Sequence, residues 1–354
     1  MSKLARDFEI AFSAHPELLE AFSKLNRPHF FITGGTGFFG CWLLESLVWL
    51  REKYQWDLQA TVLTRDPARF VAKCPHLANH TFIRFHTGDI CDFKFPQGQF
   101  THLIHAATEA SAQLNSENPL LMFDTITDGT RRALDFAVHG KISRFLLVSS
   151  GAVYGKQGAD VTHVSESDRG GPDSLSSQAS YAEGKRVAEY LCGRYSDRTE
   201  VKAVIARCFA FVGPYLPLDI HFAIGNFIRD AKAGGPIVVK GDGTPLRSYL
   251  YGADLVVWLW TSLLRGIPGR AYNVGSEDAI SIADLARTVA EVISPQIEIK
   301  KGITVPPDSH HSKALAGALA PERYVPSTQR ARTELKLKQT FDLRESIRRT
   351  AEGI

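Results

Sequence analysis

One stretch limits what this chain can fold into more than any other: His29-Phe30-Phe31-Ile32-Thr33-Gly34-Gly35-Thr36-Gly37-Phe38-Phe39-Gly40. Phe30, Phe31 and Ile32 make an apolar run of the length of a buried strand, and the glycines end it. From Cys41 to Leu50 the pattern is that of a helix. Strand, glycine turn and helix in succession build a cradle for a dinucleotide. Gly34 and Gly37 permit a tight turn and close approach of a pyrophosphate, and Gly40 lets the helix pack on the strand. The helix N-terminus offers its free N–H groups to the phosphates. The spacing is Gly-x-x-Gly-x-x-Gly, one residue longer than the usual Gly-x-Gly-x-x-Gly, and no Lys-Ser/Thr follows, which argues against an ATP-type phosphate loop.

Residues 1–28 carry apolar positions at helical spacing, interrupted at Pro16, and read as a helical extension packed on the body. Beyond them strands and helices alternate: Phe30–Thr33, a helix over 39–52, Leu58–Thr64, Thr81–His86, His102–Ala106, a helix over 119–138, Arg144–Ser149, a helix over 179–195, and Lys202–Phe209. Apolar strands between helices predict an α/β fold with a doubly wound parallel sheet of the Rossmann type, its ligands beyond the carboxyl ends of the strands. The dinucleotide-binding domain then spans 29–212 and is completed by about 248–275. A smaller α/β region, 213–247 with 276–354, is left to bind the substrate. Beyond Gly213-Pro214 the pattern places a strand at Ile237–Lys240, a helix at Asp254–Leu264, a strand at Ala271–Val274 and a helix at Ile282–Val292.

Composition excludes several classes. With 354 residues, 44% of them hydrophobic and 22% charged, the chain reads as an ordinary globular protein. A net charge of +3 is too mild to argue for nucleic acid. No apolar run is long enough to span a membrane, and no signal peptide is apparent. Five scattered cysteines without a CxxC favour a reducing compartment over disulfides or zinc, so the expected location is the cytoplasm. No metal site is expected; His310-His311 lack further ligands at suitable spacing.

Tyr181-Ala182-Glu183-Gly184-Lys185 sets a phenol and an ammonium on one helix face. A tyrosine titrates near 10, and a cation beside it favours the phenolate, bringing it nearer to use as a general base. Ser150, at the end of the fifth strand, can donate to a developing oxyanion. Each feature alone is commonplace. A glycine turn, a strand-end Ser, then Tyr and Lys, in this order and on these elements, is not.

These residues resemble an extended short-chain dehydrogenase/reductase, in the branch of nucleotide-sugar epimerases, dehydratases and decarboxylases. The resemblance runs from Phe30 to about residue 345. It rests on Thr33–Gly40, Gly88-Asp89-Ile90, Ile104-His105-Ala106-Ala107, Val148–Gly155, Tyr181–Arg186, Gly213-Pro214, Asn226-Phe227 and Gly241–Tyr251 followed by Asp254-Leu255. It implies Ser150, Tyr181 and Lys185 as the catalytic set, with Tyr181 as base and Lys185 also on the nicotinamide ribose. It implies cofactor contacts from Gly34, Thr36, Gly37, Phe38, Phe39, Gly40, Asp89, Ile90, Ala106 and Ala107. Asn226, Phe227, Arg247 and Arg323 are implied to bind a nucleotide-diphosphate sugar together with Ser150, and the helices 119–138 and 179–195 to form a homodimer interface.

The chain departs from that branch in ways that bear on chemistry. The acidic residue usual at the end of the second strand is Thr64, followed by Arg65; a cation there suits a 2′-phosphate and argues for NADP over NAD, tightly bound. Two asparagines of the branch appear as Ile126 and Ala210. Dehydratases carry an Asp-Glu pair after the serine and decarboxylases a Glu nearby, where this chain has Gly151 and Ala152. The expectation is therefore a 4-epimerase acting by transient oxidation at sugar C4, with a 4-keto-sugar reductase next. Glu183–Arg186 and Arg247-Ser248 resemble the decarboxylases, so a decarboxylase or 4,6-dehydratase stays open, as does a non-catalytic dinucleotide-binding protein.

Overall fold

The structure, a computed structural model, describes residues 4–108, 112–220, 222–302 and 322–353. Seven strands form one parallel sheet: β1 (His29–Thr33), β2 (Gln59–Thr64), β3 (Ile83–Thr87), β4 (His102–His105), β5 (Arg144–Ser150), β6 (Lys202–Cys208) and β7 (Ala271–Val274). Their order is β7-β6-β5-β4-β1-β2-β3. The chain reverses its direction of winding at β1, where Ile32 pairs with Val62 of β2 on one side and Ile104 of β4 on the other. A crevice opens beyond such a switch point. The sequence reading placed these strands within two residues at each end.

Period-two alternation sends neighbouring side chains to opposite faces of the sheet. Phe30 packs edge-on to Trp260 on one face, and Phe31 to Phe136 on the other, with ring centroids 4.9 and 4.7 Å apart. The helices that concern the sheet and the site are α1 (Ala5–Ser13), α2 (Pro16–Ser23), α3 (Phe38–Tyr54), α4 (Pro67–Lys73), α5 (Pro119–His139), α6 (Ser180–Arg198) and α7 (Gly252–Arg265). α3 and α7 cover the Phe30 face; α5 and α6 cover the Phe31 face. With both faces covered the inner strands are mostly buried, whereas β3 at the edge carries Arg84, His86 and Thr87.

The N-terminal helices are part of the core. Phe8 and Phe12 pack against Trp42 and Trp49 of α3, and Pro16 is the first residue of α2, where a missing N–H costs nothing. Asp7 is buried, accepts from the Tyr251 hydroxyl at 2.6 Å, and pairs with Arg349 near the C-terminus. This joins both ends of the chain to the sheet.

After β6 the chain builds small sheets at the carboxyl edge. Leu246–Arg247 lies between Ile280–Ser281 and Arg323–Tyr324, with Arg247 in register with Tyr324. A third core, including Val212, Ile224, Phe227 and Leu285, supports this region. Among the described residues no helix is long and apolar enough to cross a membrane, and no cluster of His, Cys, Asp and Glu could hold a metal ion. His310 and His311 lie outside the described residues. All five cysteines are free thiols.

Candidate active site

A cavity of about 1190 Å³ runs along the carboxyl edge of the sheet, from β3 to the small sheet carrying Arg247. Sites for one drug-sized ligand span roughly 300–1,000 Å³, so there is room for more than one.

At one end stands the glycine turn. Gly34 has φ +71°, and a Cβ there would lie 2.5 Å from the Ala106 carbonyl carbon and oxygen. Only glycine lets the turn cross the end of β4 so closely. Gly37 is the N-cap of α3 and no side chain caps the helix; a Cβ there would meet nothing nearer than the Gly34 oxygen at 3.5 Å. The first N–H groups of a 17-residue helix thus face an open cradle, which fits a pyrophosphate. Gly40 does not line the cavity: a Cβ there would strike Gly35 backbone atoms at 2.2–2.3 Å, so it serves packing of helix on turn. Thr36, Phe38, Phe39, Asp89, Ile90, Ala106 and Ala107 all line the cavity. So does Arg65, with Arg69 and Lys73 of α4 beside it. Asp66 is turned to its own helix, accepting from the Arg69 N–H at 3.0 Å.

In the middle, α6 brings Tyr181, Lys185 and Glu189 onto one face at four-residue intervals. Glu189 accepts from the Ser149 hydroxyl at 2.6 Å and makes a two-pronged ion pair with Arg207, whose Nη2 lies 2.6 Å away. That pair locks α6 to the ends of β5 and β6. Lys185 is buried, its Nζ donating to the Val148 carbonyl and to Thr108 Oγ1, both at 2.8 Å; burial pulls its ammonium down to about 8. The Tyr181 backbone N–H donates to Asn115 Oδ1 at 3.1 Å, which fixes the first turn of the helix.

Ser150 ends β5 and caps the short turn Gly151–Tyr154, accepting from the Ala152 N–H at 3.1 Å. Its hydroxyl stands near enough to the Tyr181 phenol to favour the phenolate. Burial raises the Tyr181 phenol above its ordinary value, and the Ser150 hydroxyl opposes the rise. Lys185 Nζ lies 5.9 Å from the centre of the Tyr181 ring. The lowering expected from Lys185 is not found in the chain alone, where loss of hydration around the phenol prevails.

At the other end, Arg247 reaches the cavity from the small sheet, with Glu322 Oε1 2.6 Å from its Nη2. Leu216, Pro217, Ile220, Phe222, Ala223 and Ile224 add an apolar wall. Asn226 and Phe227 do not line it. Phe227 lies one helical turn beyond Ala223 and is buried in the third core, while Asn226 accepts from Arg229 Nη1 at 3.3 Å. Arg323 also misses the cavity, because strand alternation sends Tyr324 there instead. Ile126 packs where Gly184 leaves room, a Cβ at 184 lying 3.2 Å from it.

Tyr324, Phe209, Thr108, Asn115 and the Arg69–Lys73 pair are cavity residues that sequence reasoning missed. For Tyr324 a signal existed: a short strand holding Arg323 puts its neighbour on the opposite face. The rest come from loops and from folding back of distant segments, which leave no periodic trace.

The model of the NAD dependent epimerase/dehydratase family matches residues 30–275. UDP-glucuronic acid decarboxylase 6 of Arabidopsis thaliana is 30% identical over 283 residues, 80% of this chain and 79% of that protein. UDP-glucuronic acid decarboxylase 1 of Xenopus tropicalis is 27% identical over 345 residues, 98% of this chain and 76% of that one. Among solved structures, the UDP-glucuronic acid 4-epimerase of Bacillus cereus, in complex with UDP-glucuronic acid and NAD, superposes with a TM-score of 0.75 at 19% identity, over 92% of this chain and 98% of that one. The UDP-glucose 4-epimerase of Thermotoga maritima, with UDP-glucose, gives 0.75 at 18% identity, over 92% and 97%. At such identities the likeness is one of fold. The family match and the Arabidopsis relative go further: this chain is an enzyme of the NAD-dependent epimerase/dehydratase family, an extended short-chain dehydrogenase/reductase.

Proposed function

We propose that the enzyme oxidises and re-reduces C4 of a nucleotide-diphosphate sugar, and that its overall reaction is 4-epimerisation. The observation that carries this reading is the set Ser150, Tyr181 and Lys185 beside a floor made of Gly151, Ala152, Phe209 and Tyr324, with no carboxylate among them. Elimination of a 6-hydroxyl needs an acid beside C5–C6, and those four residues carry none. A dinucleotide held by the glycine turn supplies the acceptor and donor of hydride for C4. Tyr181 Oη takes the proton of the 4-hydroxyl, Ser150 donates to that oxygen as it becomes a carbonyl, and Lys185 holds positive charge behind the phenol. Arg247 exchanges Glu322 for the substrate diphosphate, whose oxygens suit its planar fork. The 4-keto sugar then turns over and takes hydride back on its other face.

The cofactor we assign is NADP, supported by the Arg65, Arg69 and Lys73 cations at the adenosine end of the cavity. We further propose a homodimer through α5 and α6. A second reading, decarboxylation of a nucleotide-linked uronic acid, is favoured by the 30% identity to the Arabidopsis decarboxylase.

Incubation with UDP-glucose, UDP-N-acetylglucosamine and UDP-glucuronic acid and a catalytic amount of NADP separates the readings. A 4-epimer formed without net reductant supports the proposal, and carbon dioxide from the uronic acid alone overturns it in favour of the second. Tyr181→Phe should lower turnover at least a hundredfold.

A further inference from the structure

Ser150 has three hydrogen-bonding positions: one proton to give and two lone pairs to accept with. The Ala152 N–H fills one lone pair at 3.1 Å. Tyr324 Oη lies 3.3 Å from the same Oγ, and its only other acceptor among the described residues is the Cys208 carbonyl at 3.5 Å. The third neighbour of Ser150 is the Tyr181 phenol. Once Tyr181 gives up its proton it can only accept, so Ser150 must donate to it, and the second lone pair of Ser150 is left facing Tyr324.

We infer that Tyr324 is a positioning residue: its hydroxyl donates to Ser150 Oγ, which holds the Ser150 proton on the Tyr181 side and stabilises the Tyr181 phenolate until Tyr181 takes the proton of the 4-hydroxyl and the Ser150 proton is free for the nascent carbonyl. The inference rests on Tyr181 being the base. No bond to carbon changes in this step; two hydrogen bonds align as one proton passes from Tyr181 to solvent. Tyr324 suits the part because it packs, half-buried, on Phe209, ring centroids 4.7 Å apart, and loss of hydration pushes its phenol up, so it keeps its proton while Tyr181 titrates. The other groups facing Tyr181 are Lys185 on its own helix and Cys208 on β6; Arg247 lies behind Tyr324, 5.9 Å from its ring centre. None of them touches Ser150 in the way Tyr324 does.

The test needs no known substrate. Tyr181→3,5-difluorotyrosine puts a single fluorinated phenol that ionises near neutrality in the site, and ¹⁹F NMR follows its titration with and without NADP. Tyr324→Phe, which keeps the ring on Phe209, should move the midpoint up by about half a pH unit or more. Ser150→Ala should move it up as well, and Tyr324→Phe should then add nothing further. An unchanged midpoint in Tyr324→Phe, or an equal shift in the Ser150→Ala background, overturns the inference. Should Tyr324→Phe fold poorly, Tyr324→Met, which also lacks the donor, carries the same test: its midpoint must rise in the Ser150 parent and stay put in the Ser150→Ala background. The base assignment fails separately, if Tyr181→Phe retains turnover while these midpoints still move.

Discussion

The Tyr324 hydroxyl stands 2.9 Å from the point that a Cβ on Gly151 would occupy, and the Phe209 ring is closer still, at 2.7 Å. The space beyond Ser150 is thus filled by Phe209, just after β6, and from the Arg323–Tyr324 strand, and residue 151 has to be glycine. Gly151→Ala must displace one of two packed rings, and overpacking of this kind costs typically about 1–3 kcal/mol. Calorimetry should show a melting temperature lower by several degrees, with part of the loss recovered in Gly151→Ala/Phe209→Leu. An alanine variant as stable as the parent would mean that the rings yield freely.

A pair of buried histidines makes stability depend on pH. Burial holds His102 down to about 4 and His105 to about 3, the latter between Thr33 Oγ1 at 2.8 Å and Thr130 Oγ1 at 3.1 Å. Unfolded histidine titrates near 6.5, so below that pH the unfolded chain binds protons that the folded chain refuses. Stability therefore falls as pH drops from about 6.5 towards 4, by up to about 3 kcal/mol through His102 alone. Burial raises Asp254 to about 6, which works in the opposite sense, favouring the folded state as pH falls through that value. Urea midpoints from pH 7.5 to 4.5 should decline less steeply in His102→Phe than in the parent, a difference from which Asp254 cancels. Parallel curves would mean that His102 takes up its proton in the folded state.

How much of this could be read from the chain depends on whether a residue's role is local. The glycine turn, the strand-end Ser150 and the Tyr181–Lys185 spacing are set by elements a few residues long, and their periodicity is written in the sequence. Gly151 was legible too, but only as the absence of an acid; that Tyr324 occupies the space depends on contact between residues 173 positions apart. Asn226, Phe227 and Arg323 are instructive in the other direction. Each sits beside a residue that lines the cavity, within one turn or one strand position, and the helix phase that decides between neighbours is set by packing of the third core. The pKa of Tyr181 belongs with these, because burial is a property of the folded chain.

The exposed apolar residues of α5 and α6 support the proposed homodimer. Leu120 is 73% exposed, Leu121 48% and Tyr190 65%, while Gly193 has nothing within 4 Å of where a Cβ would be, room for a second helix to approach. Leu134 and Leu191 face the core instead and belong to the protomer. Sedimentation equilibrium at micromolar concentration should give a mass of two chains, and Leu120→Lys with Tyr190→Glu should give one. A monomeric parent would remove α5 and α6 as an interface.

The choice between NADP and NAD turns on the end of β2, where Thr64 stands in place of a carboxylate. Arg65, Arg69 and Lys73 line that end of the cavity together with Asp66, whose Oδ1 is held by its own helix cap. A 2′-phosphate there meets three cations against one capped carboxylate, whereas a bare ribose gains little from the cations. A hydrogen bond to a charged group contributes about 1.5–3 kcal/mol, a factor of roughly ten to a hundred in affinity. Isothermal titration should find NADP bound at least tenfold more tightly than NAD, and raised salt should weaken NADP more than NAD. Arg65→Ala should lose about tenfold for NADP and stay within about twofold for NAD, with Arg69→Ala following it less strongly. Tighter binding of NAD by the parent would assign the adenosine ribose to Asp66, released from its cap; Asp66→Asn should then weaken NAD, and the three cations would serve only to draw anionic ligands to the cavity mouth.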